Sequence, residues 1–283
     1  INVVLSVSVL QNCILLNKYV EIGGFSVKYL NDVTIKDCVG KILKSKSFGE
    51  FKILKYNDNK NVEIQFLKTG FKTVAQLGHI RNGKVKDLYS PSVCSVGIIG
   101  TKYPPSINGR NTKEYDLWHS MLKRCYSDVY KKKRPTYEGC EVSDKFKSYD
   151  YFYEWCNEQI GFGVDGFELD KDLLNKGNKV YSEDRCVFIP QEINKVLTKR
   201  ESMRGEHLIG VCWRNKSKAF VAVVSKNKGK QEHLGLFNTE LEAFNAYKHA
   251  KETFIKEQAN KWKGKIDERA YNALMKYKVE ITD

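Results

Sequence analysis

The sequence predicts a multidomain α+β fold. Three observations carry this. The chain has 283 residues, more than one core ordinarily organises. Apolar residues alternate between 40 and 100, then recur at helical spacing from 114. From about Gly205 a third pattern begins, three short strands followed by a capped helix. Hydrophobic residues make up 41%, so a core can be buried.

Residues 1–39 open with INVVLSVSVLQNCILL. Gln11 and Asn12 interrupt this run, which is too short to span a bilayer and lacks a basic leader or a cleavage site. Its β-branched residues suit a strand, and its role stays unassigned. In 40–100, FGEFKILKY places Phe51 and Ile53 on one face and NVEIQFL does the same for Val62, Ile64 and Phe66. Gly70 and Gly83 punctuate further strands, the pattern of a small, strongly bent antiparallel β-barrel. Such a module docks nucleic acid or a protein, or serves structure alone. Residues 101–113, TKYPPSINGRNTK, read as a linker.

From 114 to 200 the period is helical. EYDLWHSMLKRCYS puts Trp118, Met121, Leu122 and Cys125 on one face. YKKKRPTY then reads as a basic loop. Its Lys131, Lys132, Lys133 and Arg134 are either a phosphate clamp or a solvated charge run. KSYDYFYEWCNEQI gives a second helix with Phe152, Trp155, Cys156 and Ile160 inward, and Pro190 starts a short third. In 205–265, Thr239 to Glu242 form a capping box, and Ala243, Phe244, Tyr247, Ala250 and Phe254 share the next helix's inner face. Residues 266–283 hold a last helix that packs back or serves as an arm.

Charge narrows the function. Lys and Arg total 48 against 34 acidic residues, net +14, which fits a polyanion such as nucleic acid, or merely a soluble basic protein. Residues 199–265 alone carry 15 Lys or Arg and 7 Asp or Glu, hence +8. The eight cysteines form no CxxC pair and mostly sit in apolar patterns, as reduced buried thiols of a cytoplasmic protein do.

Residues 205–255 resemble an APETALA-type (ethylene-response-factor) DNA-binding domain. The resemblance rests on Gly210-Val211, on Lys218 with Phe220, on His233-Leu234-Gly235-Leu236-Phe237 and on the helix start TELEAFNAY. It implies a three-stranded sheet packed on a helix and laid in the major groove of double-stranded DNA. The DNA contacts would be Trp213, Arg214, Lys216, Lys218, Phe220, Lys226, Lys228, Lys230 and His233, together with the basic stretch 131–134. Phe220 stands where the family usually has tryptophan. Two of the four residues Val221 to Val224 should face outward, where apolar contact with thymine methyls replaces the family's charged readers.

The stretch 114–200 resembles a phage-type HNH (ββα-metal) homing endonuclease domain. Trp118 with MLKRCY, YEGCEVSDKF, ELDKD and YSEDRCVFIPQEIN carry this likeness. It implies a central ββα module with flanking helices that hydrolyses DNA phosphodiesters with a divalent cation such as Mg²⁺. The family's catalytic histidine is absent. Its region reads Asp170-Lys171-Asp172, and Arg185 matches the usual asparagine. Three readings stay open. Asp170 and Asp172 hold the metal, with Lys171 or a metal-bound hydroxide in place of the imidazole; the fold survives as a DNA-binding regulator without cleavage; or the segment is an ordinary hairpin. The likeness also implies the cytoplasm of a phage-infected bacterial host, and a phage protein as a partner of the N-terminal barrel. An architectural or assembly protein is the remaining class.

Overall fold

The structure, a computed structural model, describes residues 20–22, 25–27, 39–198, 205–226 and 231–283. The expectations for most of 1–39 and for Lys228 and Lys230 lie outside the described residues. The fold is mixed α+β, in two compact units, Ile1–Val93 with Ile98–Thr101, and Cys94–Gly97 with Lys102–Asp283. Among the described residues no helix is long and apolar enough to cross a membrane.

In the first unit β1 (Val20–Ile22) pairs antiparallel with β2 (Phe25–Val27). A four-stranded antiparallel meander follows: β3 (Ile42–Ser45), β4 (Gly49–Asp58), β5 (Asn61–Phe66) and β6 (Lys72–Ala75). Side chains alternate across a strand, so Phe51, Ile53, Val62, Ile64 and Phe66 all reach the core and are fully buried. Two register shifts between β4 and β5 bend the sheet. Among the described residues it is open, with β3 and β6 as its edges. Helix α1 (Leu77–Arg81) covers the core with Leu77 and Ile80.

The second unit begins with a tight hairpin, β7 (Ser106–Ile107) and β8 (Arg110–Asn111), turned at Asn108 and Gly109, both at positive φ. Helix α2 (Lys113–Tyr126) is capped by Thr112 and buries Trp118, Met121, Leu122 and Cys125. The basic stretch is not a loop. Ser127 caps α3 (Asp128–Lys133), Asp128 favours its first turn, and Pro135 opens the 3-10 turn that follows. Residues 102–104, read as part of a linker, are held by α4 (Tyr149–Glu158). Asp150 accepts from the Lys102 and Tyr103 backbone, and the Tyr103 and Tyr153 rings stack at 3.9 Å. Helix α4 buries Phe152, Trp155 and Cys156, but it ends at Glu158, so Ile160 leaves that face and is exposed.

Next, β9 (Glu141–Val142) lies parallel to β11 (Val180–Tyr181), while β10 (Phe167–Asp170) pairs antiparallel with β12 (Val187–Pro190). Helix α5 (Gln191–Leu197) follows β12 directly. A three-stranded antiparallel sheet comes last, β13 (Val211–Arg214), β14 (Ala219–Ser225) and β15 (Gln231–Phe237), with α6 (Glu240–Lys261) under it and α7 (Glu268–Met275) beyond. The capping box at Thr239 and Glu242 is present. Helix α7 packs back, with Ala270 and Leu274 buried in a core shared with Ile255 and Ala259 of α6 and with Leu173, Val187, Ile189 and Ile193.

The sheet sits on α6 through one close approach. Gly210 has φ +76°, and a Cβ there would fall 2.1 Å from Cδ2 of Tyr247. Gly210→Ala therefore combines left-handed strain with overpacking, roughly 2–5 kcal/mol together. Thermal unfolding followed by circular dichroism should show a clear drop in Tm. Adding Tyr247→Ala should recover the packing share of that penalty, and an unchanged Tm in the single variant would contradict this contact.

Candidate nucleic-acid interface

The loop from Asp170 to Cys186 joins β10 to β12 and carries the residues expected to do chemistry. Asp170 ends β10. Its Oδ1 accepts from the backbone N–H of Asp172 at 2.9 Å and of Leu173 at 2.7 Å, the work of a turn cap. Burial raises its pKa, against the lowering effect of those N–H groups. Lys171 is buried, and its Nζ donates to Asp172 Oδ1 and to the Asn178 carbonyl, both at 2.7 Å. The same ammonium stands 5.7 Å from the centre of the Tyr181 ring. Asp172 is half exposed on its side-chain atoms.

Asn178 locks the loop. Its Nδ2 donates to the carbonyls of Lys171 and Val180, and its Oδ1 accepts from Val180 N and from Arg185. Ser182 donates to Asp184 at 2.6 Å, and Glu183 pairs with Lys145 at 2.7 Å. Two carboxylates, one capping a turn and one facing an ammonium, fit a divalent cation poorly, since an oxygen-rich shell would need Lys171 to leave. Among the described residues no cluster of three or more His, Cys, Asp or Glu is placed for a metal. His119 is exposed on α2, stacked on Tyr115.

The C-terminal sheet divides the expected DNA contacts between two faces. Ala222 and Val224 are buried against α6. Strand alternation and register then put Cys212, Arg214, Val221, Val223, His233 and Leu236 on the other face. Val221 is buried even so, flanked by Cys212 and Leu236, while Cys212, Arg214, His233 and Leu236 are exposed. Trp213 and Phe220 belong to the helix side, ring centres 4.9 Å apart, with Trp213 exposed at the margin. Arg214, Lys216 and Lys218 cluster at the β13–β14 turn, all exposed and without a carboxylate partner among the described residues. Lys226, by contrast, is paired with Glu232 at 2.6 Å.

On α3, Lys132 and Lys133 are exposed, as is Arg134 just after it, while Lys131 leans toward Asp128 at 3.7 Å. Residue-by-residue reading missed Arg124. Its guanidinium lies 5.7 Å from the centre of the Tyr137 ring, its buried Nε has no hydrogen-bond partner, and it bonds Tyr181, whose pKa burial pushes up. A charged residue beside buried Cys125 in the MLKRCY helix was the available signal. Buried Cys125 and Cys186 have thiols pushed up to about 12 by loss of solvent, so they are inert rather than nucleophilic. Comparison of the chain with protein-family models, curated proteins and solved structures finds no match.

Asp170 can be tested as a cap. A carboxyl whose folded pKa is raised binds more protons in the native state, so stability falls as pH rises through that interval. Asp170→Asn keeps the accepting oxygen and removes the charge. It should fold and be at least as stable as the parent at pH 8 in urea unfolding, with the difference closing below the unfolded pKa of about 3.9. Asp170→Ala should lose about 0.5–2 kcal/mol. An Asn variant as damaged as the Ala variant would mean that the charge itself is needed.

Proposed function

We propose that the chain is a double-stranded DNA-binding protein in which the C-terminal sheet and its β13–β14 turn engage the duplex. The observation that carries this is the cluster of Arg214, Lys216 and Lys218 at that turn, without a carboxylate partner among the described residues, on a sheet whose same outer face exposes His233, in a chain of net charge +14. A β-sheet face fits the major groove, and unpaired cations release counterions from phosphates. Exposed Leu236 on the same face suits a thymine methyl. The exposed cations at 132–134 add a second contact to the backbone. In this reading the loop at Asp170 is a docking scaffold derived from a phage homing-endonuclease module, because its polar groups are already bonded to one another. The four-stranded meander of the first unit stands in for the expected barrel, and it binds a phage protein in the host cytoplasm.

A second reading is metal-dependent cleavage. It is favoured by the order of β10, β12 and α5, an antiparallel pair leading straight into a helix with Asp170 at a strand end. Asp170 and Asp172 would then hold Mg²⁺.

Fluorescence anisotropy with duplex DNA over a salt series decides the first reading. Affinity should fall steeply with salt, by about 0.9 in log–log slope for each phosphate contact. The triple variant R214Q/K216Q/K218Q should flatten that slope by nearly 3. Salt-independent binding, or an unchanged slope in the variant, would refute it. Supercoiled plasmid with Mg²⁺ or Mn²⁺ should stay intact. Nicking lost in both D170A and D172A would instead establish the second reading.

A further inference from the structure

Helix α6 carries one long buried stripe. Phe244, Tyr247, Ile255 and Ala259 are buried at the three- and four-residue spacing that keeps side chains on one face. Position 251 falls on that stripe, four residues after Tyr247 and four before Ile255, where another core residue is expected. It is a lysine. The place is a seam. Tyr247 belongs to the core beneath the three-stranded sheet, and Ile255 to the core shared with β12, α5 and α7. Between them opens a cleft of about 950 Å³, walled by α5, the start of β13, the end of β14 and α6.

Among the described residues four lysines line this cleft, at positions 195, 226, 251 and 261, and no arginine does. Lys226 is held by Glu232 at 2.6 Å and Lys261 by Glu192 at 2.7 Å. Lys195 donates to the Gln191 side chain at 2.8 Å and meets no carboxylate among the described residues. Lys251 is half-buried, with neither a hydrogen bond nor an ion pair among the described residues, and burial lowers its pKa. An ammonium removed from water without a partner is costly. A sequence that places one at a core position of a helix supplies the missing partner from elsewhere.

We propose that the cleft is a phosphate-binding site, with Lys251 as the anchoring cation and Lys195 as the second. Lysine acts as a point charge, which suits the dispersed oxygens of a phosphate, whereas a planar carboxylate is better met by the fork of an arginine. The volume lies in the range of small-molecule sites. Its apolar wall, including Leu208, Ile209 and Val223, would receive the body of a phosphate ester. The phosphate belongs either to a free ester or to a nucleic-acid backbone. The cleft shares Cys212 and Val223 with the sheet face assigned to DNA above, but Arg214, Lys216 and Lys218 do not line it.

Pyridoxal 5′-phosphate is the probe. Its phosphate seats the molecule on Lys195, its aldehyde condenses with the Lys251 amine with loss of water, and added borohydride reduces the imine to a stable amine. Peptide mass spectrometry should find Lys251 labelled well ahead of exposed Lys52 and Lys132, and inorganic pyrophosphate should protect it. Lys251→Met suits a buried stripe and should keep its circular dichroism and Tm. It should bind pyrophosphate at least about tenfold more weakly by calorimetry. Protection by duplex DNA as well, with weaker DNA affinity in Lys251→Met, identifies a backbone phosphate; protection by pyrophosphate alone identifies a free ester. Lys251 labelled no faster than Lys52, no protection by either, or full pyrophosphate affinity in Lys251→Met would overturn the proposal. The variant R214Q/K216Q/K218Q should retain the protection, so loss of DNA binding at the sheet is distinguishable from loss of this site.

Discussion

A helix of 22 residues is about 33 Å long, and α6 uses that length to enter two cores in succession. Its first half lies under the sheet through Ala243, Phe244 and Tyr247. Its second half meets β12, α5 and α7 through Ile255 and Ala259. Beyond its end Trp262 stands edge-on to Phe167 of β10, and Glu192 of α5 accepts from Lys261 and Trp262. The placement of the sheet and of α7 beside the β10–β12 pair follows from this. The sheet cannot turn relative to the β10–β12 pair without lifting one end of the helix from its core. Where the two cores fail to meet, the helix faces the cleft at Lys251.

Local chemistry was legible in the sequence, and long-range pairing was not. The alternation through Phe51, Ile53, Val62, Ile64 and Phe66, the helical face at Trp118, and the Thr239 capping box all depend on residues within a few positions of one another. The α+β class followed from them. The joining of the two cores did not, because Ile255 and Ala259 continue the same periodic pattern as Phe244 and Tyr247. A stripe has the same appearance whether it faces one core or two. The parallel contact of β9 with β11 links residues nearly forty positions apart and leaves no periodic trace. The register shift between Ala222 and Val223 is equally silent, yet it decides which side chains of β15 stand opposite β14.

The candidate site shows the same division. Asp170-Lys171-Asp172 drew attention as a string of charges, and in the fold those charges answer one another. A lysine buried beside a carboxylate and a carbonyl is costly to uncover, because opening it strands both acceptors. Asn178 has a stronger hold on this loop than any of the three, and as one polar residue in NKGNK it gave no warning. Composition did forecast an excess of positive charge. It could not say which lysines keep their charge available. Lys226 and Lys261 spend theirs on glutamates, while Arg214, Lys216 and Lys218 meet none among the described residues.

The proposed reading of the second unit as a DNA-binding part rests on this contrast. A group that acts on substrate is kept partly unsatisfied until the substrate arrives, and the fold must hold it there at some cost in stability. In the 170–186 loop the polar groups have spent that potential internally: Asp170 on two amides, Lys171 on an acid and a carbonyl, Glu183 on Lys145. Elsewhere, and among the described residues, Arg214, Lys216 and Lys218 at the β13–β14 turn and Lys251 in the seam meet no carboxylate. All of them are positive. Under the proposed reading, these cations are the ones that a polyanion would meet together.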